Sequence, residues 1–536
     1  MHKPIATQPI SPSASLLRYG ERVAAAILIG LILLLAFVNL PYAPRTWFDE
    51  GSHLHVPETL VRYGVYADIS SEGFRYFGPT IGVGPTVMLP VALAFAIAGV
   101  DLLPARLVIV AYLFAALWLF YRLARQLHGG RLALLTVLLL LASRTRGFEG
   151  MVEYGRQVLG EVPGLAWLGA GLLAYTLAIF QPAQRRRYAL LAGAGFGLAL
   201  ITKNQFALIV APGLGLLVLL DWRYFRVGDW WLRLAPPIIA GGMFAGWLLI
   251  MLAFLGPADF SANLAKTRQA AGGAIFVFDL EASLRAIRYL AQVYGGLLIP
   301  ALGYSLWRCR RGGAAAFAEL IPTLLAVLWL SWYLVSLGWP RYAFPAVALG
   351  APAVARMIGD LMVWLWQRRQ PVLAVGAGTY LAAVIGFALS LTARVVATPD
   401  YSAHRMAAFL NQAVPTDLII ETWEPELAVL TDHTYHYVPT ELLDGAVRQA
   451  WLGGPPIAYD GLAAQPPYVL TGPFSAYTGI YPVDALARDY TIIFSAGPYT
   501  LWQRRATIQG EGNESYRLAR DRQYPPAILR VCDGKG

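Results

Sequence analysis

Several apolar runs of this chain reach the roughly 18–20 residues that a helix needs to cross a bilayer, and the first strongly apolar segment is Ala24–Leu40. In hydrocarbon the backbone must satisfy its own hydrogen bonds, so separate apolar runs of this kind are read as helices. Composition agrees, with 57% hydrophobic and 14% charged residues among 536. The sequence therefore predicts an α-helical polytopic membrane protein. The net charge of +10 does not point to nucleic acid, because the arginines punctuate the apolar runs as cytoplasmic flanks do. No basic tract with interleaved aromatic residues is present. Ala24–Leu40 lacks a clear small-residue cleavage site and is expected to remain as an anchor.

Topology follows from the basic residues. Lys3, Arg18 and Arg22 place the N-terminus in the cytoplasm. The run Val83–Val100 is ambiguous, since it holds Gly84, Pro85 and Pro90. If it lies at the outer interface, the clusters Arg122/Arg125/Arg131, Arg185–Arg187, Arg223/Arg226/Arg233, Arg308/Arg310/Arg311 and Arg368–Arg369 all face the cytoplasm. If it spans, most of them move outside, against the positive-inside rule. The expected spans are then 24–40, 105–122, 131–146, 162–180, 188–202, 206–221, 234–254, 290–307, 315–337, 342–366 and 371–394, about eleven in all. The expected organisation is a transmembrane catalytic domain over 1–396, with a first outer loop over 41–104, and an extracytoplasmic α/β domain over 397–536. The last assignment rests on short apolar alternations such as Leu418–Ile420 and on turn signals such as Gly453-Gly454-Pro455-Pro456. Cys309 and Cys532 fit no metal or redox spacing and fall on opposite sides, so no disulfide is expected. Asn513-Glu514-Ser515 matches a glycosylation sequon, a triplet that chance often supplies.

That topology collects a set of charges at outer helix ends. Asp49 and Glu50 follow the first span, Glu161 opens a span, Lys203 closes one and Arg341 opens another. Lys266, Arg268, Arg285 and Arg288 occupy an outer loop and the segment after it. Each has a plain structural reading. Acids in a first turn favour the helix dipole, and basic residues at a span end can snorkel. Taken together they suggest chemistry at one face. A carboxylate beside a hydroxyl can act as general base, and lysine and arginine can hold a lipid phosphate. His53 stands four residues after Asp49, on the same helix face. Asp49, His53 and Glu161 could thus contribute to a divalent-metal site, although a local hydrogen bond explains His53 more simply. No zinc motif or phosphate loop is present.

Four motifs in this order resemble the GT-C superfamily of polyprenyl-phosphate-sugar-dependent glycosyltransferases. The likeness is to the bacterial branch related to protein O-mannosyltransferases and to aminoarabinose transferase of lipid A. The motifs are Trp47-Phe48-Asp49-Glu50 with Leu60, Gly64 and Tyr66 following, Glu161-Val162-Pro163, Gly197-Leu198-Ala199-Leu200-Ile201-Thr202-Lys203, and Arg341-Tyr342-Ala343-Phe344-Pro345. The resemblance covers roughly residues 20–350. It implies a glycosyltransferase of the plasma (inner) membrane that moves a hexosyl or pentosyl group from a polyprenyl-phosphate donor to an acceptor hydroxyl outside, with inversion. Asp49 would be catalytic, Glu50 would support it, and Glu161 would be a second acid. Lys203, Arg341 and Tyr342, with Arg268 and Arg288, would bind the donor phosphate. No cofactor is assigned, and a divalent metal remains open. The partners would be the donor, membrane lipid and an acceptor protein, glycan or lipid, with no nucleic acid. One departure stands out: aminoarabinose transferases carry a Glu-Lys-Pro stretch where this chain has Tyr76-Phe77-Gly78-Pro79. That argues against lipid A modification and against a metal site of that type. A transporter or flippase for a lipid-linked or anionic substrate is the alternative reading, and paired interrupted helices with charges near the bilayer midplane would favour it.

Overall fold

The computed structural model describes residues 12–76, 82–270 and 275–505. Phe77–Pro79, the sequon and Cys532 fall outside the described residues, as does the side chain of Lys266. The chain forms a helical bundle with a small mixed α/β domain at its C-terminal end. The bundle comprises α1 (Pro12–Phe37), α2 (Phe48–Tyr63), α3 (Pro85–Ala98), α4 (Leu102–His128), α5 (Gly130–Leu141) and α6 (Met151–Tyr154). It continues with α7 (Glu161–Phe180), α8 (Arg185–Thr202), α9 (Asn204–Leu220), α10 (Trp230–Ala270) and α11 (Leu280–Leu290). The remaining helices are α12 (Leu298–Cys309), α13 (Gly313–Leu334), α14 (Pro340–Gln367) and α15 (Pro371–Ala397). A hairpin of β1 (Ala67–Ser70) and β2 (Gly73–Tyr76) follows α2.

Among the described residues, eight helices are long and apolar enough to cross a membrane. They correspond to eight of the eleven expected spans, and the other three differ for identifiable reasons. The 131–146 run is helical only over Gly130–Leu141, 12 residues or about 18 Å at 1.5 Å per residue. The 188–202 run begins with Arg185–Arg187 inside the helix, so its 18 residues carry three charges. The 290–307 run is broken where Tyr294 and Gly295 adopt φ of 53° and 65°, which divides it between α11 and α12. The ambiguous 83–100 run forms a 14-residue apolar helix whose Val87, Met88, Val91 and Phe95 pack with Leu54 and Val56 of α2 and Ile109 of α4.

The C-terminal domain is described over α16 (Ser402–Ala413), β3 (Ile419–Thr422), β4 (Thr434–Tyr437), α17 (Leu443–Leu452), β5 (Tyr468–Thr471), α18 (Pro473–Thr478), α19 (Val483–Asp489), β6 (Tyr490–Ala496) and β7 (Tyr499–Arg504). Its sheet has the order β4-β3-β5-β7-β6; β3 runs parallel to both neighbours and β7 antiparallel to both of its own. The α/β reading of this region therefore holds. One side of the sheet packs Met406 and Leu410 of α16 against Ile420, Leu470 and Leu501. The other carries Trp423, Val469, Tyr481 and Leu486, with Phe48 at the start of α2 packed against them.

Candidate active site

Three of the charges expected at outer helix ends sit in the first turns of helices. Asp49 is the second residue of α2, Glu161 the first of α7 and Arg341 the second of α14. The two acids suit the positive end of a helix dipole, whereas Arg341 opposes it. Its position is accounted for by its partners. Arg341 Nη1 donates to Asp49 Oδ2, and Arg341 Nε lies 3.2 Å from Glu161 Oε1. Trp47 places its ring over the guanidinium, 5.3 Å from the carbon, which adds a cation–π contact.

Lys203 completes the chain of charges by donating to the same oxygen, Glu161 Oε1. It lies in extended backbone between α8 and α9. That junction is braced by the segment leading into α3: Gly84 N donates to Thr202 O at 2.9 Å, and Val83 bridges Lys203. A Cβ on Gly84 would stand 1.9 Å from Ile201 O, so only glycine permits this approach. Asp49, Arg341, Glu161 and Lys203 are thus brought into one chain of ion pairs. Side-chain exposure along it is 24% for Asp49, 15% for Arg341, 1% for Glu161 and 5% for Lys203. Glu161 Oε2 is buried and has no hydrogen-bond partner.

Glu50 does not join this chain. It is fully buried and paired with Arg106 of α4, whose Nε and Nη2 donate at 2.9 and 2.6 Å. Val158 N donates to Glu50 Oε1 at 3.0 Å, and Arg106 Nη1 reaches Leu40 O at 2.8 Å. This fork–fork pair fixes the back of α2 to α4 and to the end of α1. His53 is spent similarly, with Nδ1 2.8 Å from Val158 O. Burial lowers its pKa, opposed in part by Asp49. Among the described residues, no three His, Cys, Asp or Glu side chains are arranged to hold a metal ion. Arg341, a cation, bridges Asp49 and Glu161, so the set Asp49, His53 and Glu161 is not brought together as a metal site. Tyr342 turns into the bundle, stacking on Trp332 with ring centroids 5.3 Å apart. Arg268 and Arg288 are exposed on α10 and α11 and take no part in the four-residue chain. Arg285 instead donates to Trp451 O at 3.0 Å and lies over that ring at 4.4 Å.

Sequence reasoning missed Glu149. Burial, with Glu153 next, pushes its carboxyl up to about 7, and Arg341 and Glu161 are close enough to influence it. The stretch Arg144-Thr145-Arg146-Gly147-Phe148-Glu149 straddles the end of the expected 131–146 span and gives no signal that singles out its acid. The contribution of the C-terminal domain was also not legible. Phe48, next to Asp49, stacks on Phe474 at 3.9 Å and meets Trp423 edge-on at 6.2 Å. Gly51 lies against the backbone at Pro425 and Glu426, where a Cβ would come within 2.2 Å of Glu426 N. Trp339, two residues before Arg341, packs on Trp451 at 4.8 Å, and Trp451 Nε1 donates to Leu337 O at 2.9 Å. The domain therefore touches the segments that carry both Asp49 and Arg341.

Residues 83–253 match the family model described as dolichyl-phosphate-mannose-protein mannosyltransferase. The crystal structure of ArnT from Cupriavidus metallidurans bound to undecaprenyl phosphate is similar, with a TM-score of 0.61 and 17% identity over 91% of this chain and 99% of that one. An oligosaccharyltransferase from Archaeoglobus fulgidus, AglB, in complex with an inhibitory peptide and a dolichol-phosphate, is similar with a TM-score of 0.53 and 12% identity over 92% of this chain and 75% of that one. Among curated proteins, none matches significantly. The fold is like that of these two structures, and with its eight long apolar helices the chain is an integral membrane protein.

Proposed function

We propose that this protein transfers a sugar from a polyprenyl-phosphate donor to an acceptor hydroxyl at the outer face of the membrane. The observation that carries this reading is the convergence of Asp49, Arg341, Glu161 and Lys203 from four separate segments. A lipid phosphate is the chemistry such cations suit. The relatives of like fold include ArnT from Cupriavidus metallidurans, bound to undecaprenyl phosphate, which supports a lipid phosphate here.

In this mechanism the phosphate is already a competent leaving group, so no strong general acid is needed. Asp49 takes the proton of the acceptor hydroxyl as its oxygen attacks the anomeric carbon. The bond from that carbon to the phosphate oxygen breaks with inversion, and the electron pair leaves with the polyprenyl phosphate. Arg341 and Lys203 stabilise the growing negative charge, the usual place for electrostatic catalysis. Glu161 holds both cations in position. Glu50, fully buried and paired with Arg106, positions α2 and moves no proton. Tyr342, with Arg268 and Arg288 exposed on α10 and α11, adds to donor binding outside the four-residue chain. The N-terminus lies in the cytoplasm and the C-terminal domain outside. The acceptor is a protein, glycan or lipid hydroxyl.

The test is release of free polyprenyl phosphate from a panel of polyprenyl-phosphate sugars in proteoliposomes, with membrane extract as acceptor source. Release from one donor, dependent on extract, supports the reading and identifies the sugar. No release from any donor, together with uptake or flipping of a lipid-linked substrate, would contradict it.

A further inference from the structure

Both cations assigned to the donor phosphate are already neutralised by carboxylates. Arg341 is held by Asp49 and Glu161, and Lys203 by Glu161. The four charges sum to zero. A phosphate arriving at Arg341 would set three anions against two cations, and one carboxylate would have to yield. Glu161 is the poorer candidate: it is 1% exposed, it carries both cations on Oε1, and leaving it unpaired would strand a buried charge. Asp49 is the most exposed of the four at 24%, and its partner in the chain is Arg341. The Asp49 oxygen that accepts from Arg341, Oδ2, is engaged by that bond for as long as the pair holds.

Resting on the proposed function, we propose that the donor phosphate and Asp49 compete for Arg341. Donor binding then releases the base, and the acceptor is activated only after the donor is seated. The arrangement links two events that a transferase benefits from separating. The proton acceptor becomes available when the sugar is present, and Trp47 keeps the guanidinium plane in place during the exchange of partners. No covalent step is added: one charge-assisted hydrogen bond from Arg341 to Asp49 is replaced by one to a phosphate oxygen.

The competition makes a prediction opposite to that for an ordinary binding residue. Removing the Asp49 charge should tighten the binding of polyprenyl phosphate. The probe is polyprenyl monophosphate without sugar, titrated against purified full-length protein, with the uncharged polyprenol as control. Asp49→Asn is expected to bind about 5-fold tighter or more, at the lower end of coupling between linked sites. Asp49→Ala, whose melting temperature is followed in parallel, should show the same gain. The gain should disappear in the Arg341→Gln background. Wild type that binds polyprenyl phosphate, with Asp49→Asn binding equally or more weakly, would overturn the competition while leaving the proposed function standing. Wild type that does not distinguish polyprenyl phosphate from polyprenol would contradict the proposed function itself, and the competition with it.

Discussion

Phe48 stacks on Phe474 with ring centroids 3.9 Å apart and an interplanar angle of 27°, one residue before Asp49. Through this contact the C-terminal domain grips the start of α2. The same domain reaches the start of α14 through Trp451 and Trp339. The Asp49–Arg341 pair is therefore suspended between two segments that one domain braces.

Truncating Phe474 to alanine should loosen α2. Removing a large aromatic side chain from a packed site costs about 3–5 kcal/mol, and at this half-buried position the lower end is expected. Small misplacement of a reacting group can cost up to about 100-fold in rate. The expected outcome is at least about a 10-fold loss of turnover, with partial recovery in Phe474→Tyr. Gly51→Ala should act in the same direction, by forcing α2 away from Glu426. Turnover and limited proteolysis of the C-terminal domain check both.

Breaking the pair of Glu50 and Arg106 should damage stability before chemistry. Removing one partner of a fully buried ion pair leaves an uncompensated charge, at about 3–5 kcal/mol. Glu50→Gln should therefore lower the melting temperature clearly, while Asp49→Asn should leave it nearly unchanged. Thermal unfolding in detergent measures the contrast.

Glu149 should give donor binding a pH dependence. Its carboxyl, raised to about 7, is neutral below that value and ionised above it. Ionisation adds a negative charge near Arg341, with Glu153 and Glu161 already close and Arg144 and Arg341 opposing. Polyprenyl phosphate should bind less tightly as pH rises through about 7. Glu149→Gln should flatten that part of the profile, and parallel titrations at pH 6 and 8 test it.

His436 should make the C-terminal domain sensitive to alkali. Burial disfavours its charge, but Glu421 against Nδ1 and Glu72 beside Nε2 raise its pKa to about 10. A raised folded pKa gives stability that is fully present below the unfolded value of about 6.5 and is lost as pH rises through about 10. The melting temperature should fall across that window in wild type and less in His436→Gln.

Much of the site was legible because ionisable residues at the ends of apolar runs are conspicuous. Asp49, Glu161, Lys203 and Arg341 each stood out for that reason. Their partners did not. Arg106 lies inside an apolar helix and was not distinguished from a flanking arginine. Arg156, which caps the end of α1 by donating to Ala43 O at 2.9 Å and to Leu35 O, is set in a run that gives no hint of that target. Glu50 reads as a support for Asp49 because the two are adjacent in sequence, but adjacent residues do not share a helix face, and Glu50 turns to Arg106 instead. The break at Tyr294 and Gly295 was hidden within an apolar run, since hydropathy does not report φ. Contacts such as Phe48 with Phe474 join residues more than four hundred positions apart, which no local pattern records.

The proposed mechanism turns on Asp49 as the base. The most direct measurement is sugar transfer by Asp49→Asn, using the donor that wild type accepts, in protein shown to be folded by its melting temperature. A loss of about 10²–10⁴ in rate is expected for a positioned base, with polyprenyl-phosphate binding tightened. Near-normal transfer by Asp49→Asn would contradict the account.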